Sequence, residues 1–262
     1  MAIEVFNRFE KKYLMSADRC AQVRRELETY MNPDKYNADD RPYTISNIYY
    51  DTPDSALIRA SLSKPKYKEK LRLRAYGVPG PEDKVFLEIK KKVQGVVNKR
   101  RTMLRLHEAY AFAETGAMPE TEDYMNPQVL REIAYFLSIY PIQPRLYLAY
   151  DRRAYFGKER PDLRISFDEN IRTRRTDLRL EAGSHGGLLL DEDVRLMEIK
   201  AEKSIPLWLS ELLSDHGIFS AGFSKYGEEY KQFIQKERYV CWNLYLQEQP
   251  TRPSLSAAHC SH

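Results

Sequence analysis

Residues 67–76 alternate strictly between two kinds of side chain. Lys68, Lys70, Arg72 and Arg74 take one set of alternate positions, and Glu69, Leu71, Leu73 and Ala75 take the other. Successive strand side chains point to opposite faces, so as a strand this segment has one cationic and one mostly apolar face. An ordinary half-exposed strand looks the same, and the pattern becomes informative because it recurs. Residues 85–92 set Val85, Leu87 and Ile89 against Phe86, Glu88, Lys90 and Lys92. After a tight hairpin at Gln94-Gly95, residues 97–105 carry Lys99, Arg101, Met103 and Arg105 in phase. Residues 4–14 set Arg8, Glu10 and Lys12 against Asn7, Phe9 and Lys11. Residues 163–172 oppose Arg164, Ser166 and Asp168 to Leu163, Ile165 and Phe167, and residues 194–200 oppose Glu198 and Lys200 to Met197 and Ile199. Segment 43–51, rich in aromatic and β-branched residues, and segment 145–156 bring the total to about eight strands.

Helical periodicity falls between them. Ser16 is a good cap, Asp18 lies in the first turn, and Cys20, Val23, Leu27 and Tyr30 recur at helical spacing until Asn32-Pro33. Thr52-Pro53 starts a short helix to about residue 61, with Ala56, Leu57 and Ala60 buried. Residues 107–125 read as a short helix and a loop. Asn126-Pro127 starts a helix whose stripe is Val129, Leu130, Ile133, Phe136 and Leu137, and Pro141 stops it. Pro206 opens another through Leu207, Trp208, Leu212 and Leu213, ended by Gly217. A last helix follows Phe223-Ser224-Lys225-Tyr226 to about residue 238.

The apolar strand faces match the helix stripes and must be buried against them. The charged faces then either meet solvent or meet each other inside a barrel, and the recurrence of the pattern favours the barrel. The expected fold is α+β: an antiparallel β-barrel tunnel of about eight strands, with a charged interior and helices packed outside. Its lining would be Arg8, Lys12, Arg72, Arg74, Lys90, Lys99, Arg101, Arg152, Arg164, Lys200 and Lys225, with Glu10, Glu88, Asp168 and Glu198 as the acids. Such a tunnel holds water, because an unpaired buried charge costs several kcal/mol. The excess of bases repels itself unless a polyanion neutralises it. Phosphate chains fit, since each group offers oxygens to an arginine fork or a lysine ammonium. The few carboxylates would hold Mg²⁺ or Mn²⁺, hard ions that take oxygen ligands. Lys91 and Lys92 read as surface or rim residues, Asp168 as a partner that orients arginines, and Trp208 and Trp242 as packing residues. Tyr49 and Tyr150 are the tyrosines that could face the tunnel.

Charge changes the picture in one respect. The 262 residues carry 42 basic and 38 acidic side chains, a net charge of +4. That balance is unlike a general nucleic-acid coat, so the basic site is local. No apolar run approaches the ~18 residues that span a bilayer, and the N-terminal segment lacks the apolar core of a signal peptide. Cys20, Cys241 and Cys260 are widely spaced and form no metal motif, which suits reduced thiols in the cytoplasm. With no repeat and no interdomain linker, residues 1–240 read as one domain and 241–262 as a partly disordered tail.

Nine motifs carry a family resemblance. In order they are RFEKKYLM at 8–15, SNIYYDTPD at 46–54, KLRLRAYG at 70–77, FLEIKKK at 86–92, VNKRR at 97–101, YDRRAYFG at 150–157, LRISFDENI at 163–171, LMEIKAE at 196–202 and FSKYGEEY at 223–230. Each alone is weak, and their number and order are specific. The chain resembles the VTC domain, the polyphosphate polymerase domain of the vacuolar transporter chaperone family, within the wider triphosphate tunnel metalloenzyme (CYTH-like) superfamily. The resemblance spans roughly residues 4–238. It implies that ATP lies with its triphosphate in the tunnel and that the γ-phosphoryl passes to a growing polyphosphate. It implies phosphate-binding roles for Lys12, Arg72, Arg74, Lys90, Lys99, Arg152, Arg164 and Lys225, with Arg72, Arg74, Lys90 and Glu198 at the chemistry. Glu198 would hold Mn²⁺ or Mg²⁺, and Glu10 is a weaker candidate for metal or water positioning.

One departure is informative. Hydrolytic members of the superfamily tend to begin Glu-x-Glu-x-Lys, whereas here Arg8-Phe9-Glu10-Lys11-Lys12 puts a base in the first acidic position. That favours a polymerase over a metal-dependent triphosphatase or polyphosphatase on the same site, and leaves metal binding to fewer ligands. A non-catalytic polyphosphate-binding module is a further alternative, disfavoured by the retention of Glu198 with all eight bases. Expected ligands are ATP, polyphosphate, and phosphate or pyrophosphate. Nucleic acid is not expected, because the strands show charge on charge instead of aromatic platforms. The chain is not expected to enter a membrane itself, although a membrane-protein partner fits the fusions found in eukaryotic relatives.

Overall fold

A computed structural model describes residues 9–37, 41–94 and 96–247, with side chains described between residues 10 and 239. Arg8, the side chain of Trp242 and the tail beyond residue 247 lie outside the described residues. The elements run β1 (Phe9–Ser16), α1 (Ala17–Leu27), β2 (Met31–Pro33), β3 (Tyr43–Asp51), α2 (Ala56–Leu62), β4 (Tyr67–Tyr76), β5 (Lys84–Val93), β6 (Val96–Arg105), α3 (Leu106–Thr115), α4 (Pro127–Ile139), β7 (Gln143–Gly157), β8 (Arg164–Arg174), β9 (Gly187–Leu188), β10 (Val194–Ala201), α5 (Leu207–Asp215) and α6 (Lys225–Gln247).

Local signals explain most of these boundaries. Ser16 ends β1 and caps α1, its hydroxyl accepting from the Arg19 N–H at 3.3 Å. Asn126 caps α4 through Gln128 and Val129, with Pro127 in the first turn. Helix α2 starts at Ala56, later than the Thr52-Pro53 signal suggests. The buried Asp51 carboxylate accepts from the N–H groups of Leu57 and Ile58 and so serves as a remote cap. The last helix continues past residue 238 to Gln247, so its end lies within the segment expected as a tail.

All the principal strands pair antiparallel, in the order β1-β10-β8-β7-β3-β4-β5-β6, with β2 added to β7 and β9 to β8. The expected closed barrel is corrected here: among the described residues β1 and β6 are the two ends of the sheet and do not pair. The free edge of β1 is taken by the segment leading into α6, where Ser220 bridges Tyr13 and the Ala221 N–H donates to the Lys12 carbonyl at 2.7 Å. The sheet is nevertheless rolled. Flat, six strand spacings of ~4.8 Å would put β1 about 29 Å from β5. Yet Glu10 and Lys12 of β1 are among the charges that act on Lys90 of β5.

The outer face of the roll carries the apolar residues. Under α3 and α4, Leu71, Leu73, Leu87 and Ile89 pack on Phe112, Leu130, Ile133 and Phe136. Under α1 and α5, Ile165, Met197 and Ile199 pack on Val23, Leu27 and Leu209. A third cluster lies on the inner face: Ile45, Leu146, Leu148, Ile171 and Leu196 meet Ile58 of α2 and Tyr226 of α6. Part of the interior is therefore an apolar plug. Asn170, at φ 49°, marks the extra residue of β8 in its pairing with β7, which turns Ile171 inward. The Arg174 guanidinium lies 3.4 Å from the centre of the outward-facing Tyr147 ring, away from the cleft.

Candidate phosphate-binding cleft

Pairing register puts the charged positions side by side on the inner face. Lys12 lies opposite Glu198, Glu10 opposite Lys200, Arg152 opposite Asp168, Arg72 opposite Glu88, and Lys90 opposite Lys99. Two carboxylates organise most of the bases. Glu88, 1% exposed, receives Arg72 Nε at 2.7 Å and Lys99 Nζ at 2.9 Å, with Arg74 Nε at 3.7 Å. Burial alone would raise the Glu88 pKa, but Arg72, Arg74 and Lys99 hold it well below the usual carboxylate range. Asp168, wholly buried, takes a two-pronged grip from Arg152, Nε to Oδ1 at 2.7 Å and Nη2 to Oδ2 at 2.9 Å, and an ion pair from Lys225. Against the same desolvation, these two cations hold its carboxyl at about 2. Asp168 is thus the orienting partner that its sequence position suggests.

The remaining expected residues take distinct places. The Lys12 ammonium donates to the Phe223 carbonyl at 3.2 Å, next to the start of α6. Arg74 Nε donates to Asn47 Oδ1 at 3.1 Å, and Arg72 Nη1 to the Tyr49 hydroxyl at 3.1 Å. Arg164 stands 3.7 Å from Asp34, over the Phe156 ring. Tyr150 packs beneath both Arg152 and Lys225, 5.0 and 4.3 Å from its ring centre. Burial would raise its hydroxyl, but Arg152, Arg74 and Lys225 bring it down to about 8. Lys91 points to the opposite face and pairs with Glu69 at 3.8 Å. Trp208 is a packing residue, stacked on Tyr30 with centroids 4.2 Å apart.

Lys70 belongs with this set and was not among the expected lining residues, although its phase with Arg72 and Arg74 was the available signal. Burial, reinforced by Lys68, Lys90 and Lys12, lowers its pKa to about 8. Burial likewise lowers Lys90, against the attraction of Glu10 and with Lys12, Arg72 and Lys200 adding to the effect. Among the described residues, neither Lys70 nor Lys90 has a carboxylate within ion-pairing distance. Lys99 is brought to about 7, first by burial and then by Arg72 and Arg74 against the attraction of Glu88. Its side chain nevertheless keeps 39% of its surface open to water. A lysine that is both desolvated and water-accessible is walled by protein in a hydrated cleft.

At the β1–β10 end, Lys200 lies 3.3 Å and Arg152 3.8 Å from Glu198. Burial would raise Glu198, but chiefly Lys200 and Lys12 hold it well below the ordinary range. Glu10 and Glu198, the acids expected at a metal, lie on neighbouring strands among Lys12, Lys200 and Arg152. No group of three or more His, Cys, Asp and Glu side chains gathers among the described residues. A cation here would take two protein ligands and complete its shell with phosphate oxygens and water, as Mg²⁺ commonly does.

The fold has solved relatives at low sequence identity. A candidate adenylyl cyclase from Hippeastrum, described as having a dominant triphosphatase activity, superposes with a TM-score of 0.50 at 18% identity, covering 83% of this chain and 92% of that one. A candidate adenylate cyclase from Bacillus halodurans gives 0.49 at 16% identity, covering 82% and 92%. No curated protein matches the sequence. The profile of the VTC domain matches residues 7–234. That span takes in β1 to the middle of α6, and with it every residue of the cleft described above, so the chain belongs to the VTC domain family.

Proposed function

We propose that the chain is a metal-dependent polyphosphate polymerase, which transfers the γ-phosphoryl group of ATP to a growing polyphosphate chain within the cleft. The observation that carries this reading is the surplus of desolvated cations. Lys70 and Lys90 have no carboxylate within ion-pairing distance among the described residues and lie beside Arg72, Arg74 and Lys99. A linear polyanion relieves their repulsion, and membership of the VTC family supports the assignment. A fold shared with a protein described as a triphosphatase is compatible with chemistry at a phosphoanhydride.

In this reading Arg72, Arg74 and Lys90 grip the phosphoryl group in flight, and Lys12, Lys99, Arg152, Arg164 and Lys225 hold the flanking phosphates. A terminal polyphosphate oxygen attacks the γ-phosphorus, the bond to the β–γ bridging oxygen breaks, and ADP leaves with that electron pair. The nucleophile is already an oxyanion, so no base is needed, and the protein contributes position and charge. Mn²⁺ or Mg²⁺ held by Glu198 and Glu10 would neutralise phosphate oxygens. Residues 1–240 would act as one catalytic domain in the cytoplasm. No helix among the described residues is long and apolar enough to cross a membrane.

The test is to incubate the pure protein with ATP and Mn²⁺, stain the products for polyphosphate on a gel and assay ADP and phosphate. Long polymer with matching ADP is the expected result. Free phosphate without polymer would replace the polymerase with a hydrolase, and neither product would refute catalysis by the isolated chain.

A further inference from the structure

Next to the phosphate cleft the sheet presents a row of aromatic rings. Tyr43 of β3, Tyr76 of β4 and Phe86 of β5 share the inner face. Their ring centroids are 6.1 Å apart for Tyr43 and Tyr76 and 6.0 Å apart for Tyr76 and Phe86. Tyr36 extends the row, 6.1 Å from Tyr43. Tyr76 and Tyr36 are not core, at 52% and 64% exposed, whereas Tyr43, packed against the inner apolar cluster, and Phe86 are half-buried. The row adjoins the cleft through the sheet register. Phe86 is the cross-strand neighbour of Arg74, and Tyr43 that of Arg152. The Arg101 guanidinium lies over the Phe86 ring at 4.5 Å.

We infer that this row is a stacking platform for the base of a nucleoside triphosphate whose phosphates occupy the cleft. The inference rests on the reading of the cleft as a phosphate site and assigns the part of the substrate that the cations leave unexplained. Cross-strand partners are about 5 Å apart at their Cα atoms, so Phe86 and Tyr76 flank the Arg74 end of the cleft, within the reach of a triphosphate whose γ-phosphoryl lies on the Arg72 and Lys90 side and whose α-phosphate and nucleoside lie beyond Arg74. Every base has a π-face, and the exposed Tyr76 ring, set edge-on against Phe86, offers it a plane without hydrogen-bond readout, with the Arg101 guanidinium over Phe86 as a second one. The platform therefore favours nucleotides over inorganic phosphate chains while discriminating weakly among bases. It also gives the two ends of the cleft different occupants, with the nucleoside at the Arg74 and Arg152 end and the phosphate chain running toward Lys70 and Lys90.

The experiment compares dissociation constants for ATP and for inorganic tripolyphosphate by calorimetry, on the full chain and on Tyr76→Ala, Tyr76→Trp and Phe86→Ala. The alanine variants should loosen ATP by roughly 5- to 150-fold, the range that base–aromatic stacking gives on truncation. Tripolyphosphate should stay within twofold, and Tyr76→Trp should keep the wild-type affinity for ATP. Unchanged ATP affinity, or equal losses for both ligands, would overturn the platform and leave the phosphate cleft standing. Failure of the wild-type chain to bind either ligand would overturn the cleft and the platform together. A single-stranded oligonucleotide binding tenfold more tightly than ATP through the same rings would overturn the mononucleotide assignment in favour of a strand-binding surface.

Discussion

Glu88→Gln is the substitution that bears most directly on how the cleft is built. The side chain is 1% exposed and serves as counter-ion to Arg72 at 2.7 Å, Lys99 at 2.9 Å and Arg74 at 3.7 Å. Glutamine keeps the size and an acceptor oxygen but removes the charge. Breaking a buried ion pair by removing one partner costs about 3–5 kcal/mol. Lys99 and Arg72 keep 39% and 22% of their side-chain surface in water, which places this case at the lower end, about 3 kcal/mol. For a chain of this size that corresponds to a fall in Tm of roughly 6–12 °C. The liberated cations should then bind polyanions more tightly. Inorganic tripolyphosphate at saturating concentration should therefore raise the Tm of the variant more than that of the wild type, narrowing the gap. Circular dichroism melts with and without tripolyphosphate read both effects. A variant within 2 °C of wild type, or equal stabilisation of both proteins by the ligand, would refute the assignment of Glu88 as the counter-ion that tripolyphosphate replaces. The acid limb offers an independent check. The Glu88 pKa is depressed in the fold, so its contribution is present above the ordinary carboxylate range and is lost as pH falls through the folded value. Glu88→Gln should remove that part of the acid sensitivity.

Other outcomes follow from the same geometry. Lys90→Ala removes a desolvated cation that has no carboxylate partner, so urea unfolding should show stability equal to or slightly above wild type while tripolyphosphate affinity falls about tenfold; a marked loss of stability would make Lys90 structural. Lys70 at about 8 and Lys99 at about 7 lie below the ordinary lysine value, so between about pH 7 and 10 the folded chain binds fewer protons than the unfolded chain, and these groups make stability rise with pH. Anion binding needs the protonated forms, so the tripolyphosphate dissociation constant should increase from pH 7 to pH 9 with proton uptake on binding; calorimetry in buffers of different ionisation enthalpy measures that uptake, and its absence would count against both lysines as ligands. Glu198→Gln should abolish the effect of Mn²⁺ on tripolyphosphate affinity, and an unchanged Mn²⁺ response would remove Glu198 from the metal site.

The cleft was legible in the sequence to the extent that strand geometry is local. Which face of β4 carries Lys70, Arg72 and Arg74 follows from alternation alone, and the same rule placed Lys12, Lys90, Lys99, Arg164 and Glu198. The apolar positions opposite them, such as Leu71, Leu87 and Ile199, are core for the same reason. Family membership followed from the order of short motifs, all of them strands or strand ends except the one that opens α6.

What the tertiary structure alone decided concerns neighbours across strands. Pairing order and register depend on contacts between segments far apart in the chain, and no local period encodes them. The gathering of Arg72, Arg74 and Lys99 on Glu88 needs β4, β5 and β6 in one register. The aromatic row joins Tyr43, Tyr76 and Phe86 from separate strands, so charge-on-charge alternation within each strand concealed it. Among the described residues the seam between β1 and β6 is open, and the segment before α6 takes the free β1 edge. The apolar plug depends on the bulge at Asn170 and on α6 folding back, with the Tyr226 hydroxyl donating to Asp51 at 2.9 Å across the chain. Alternation tells a strand which side is which; only packing tells it what lies on the other side.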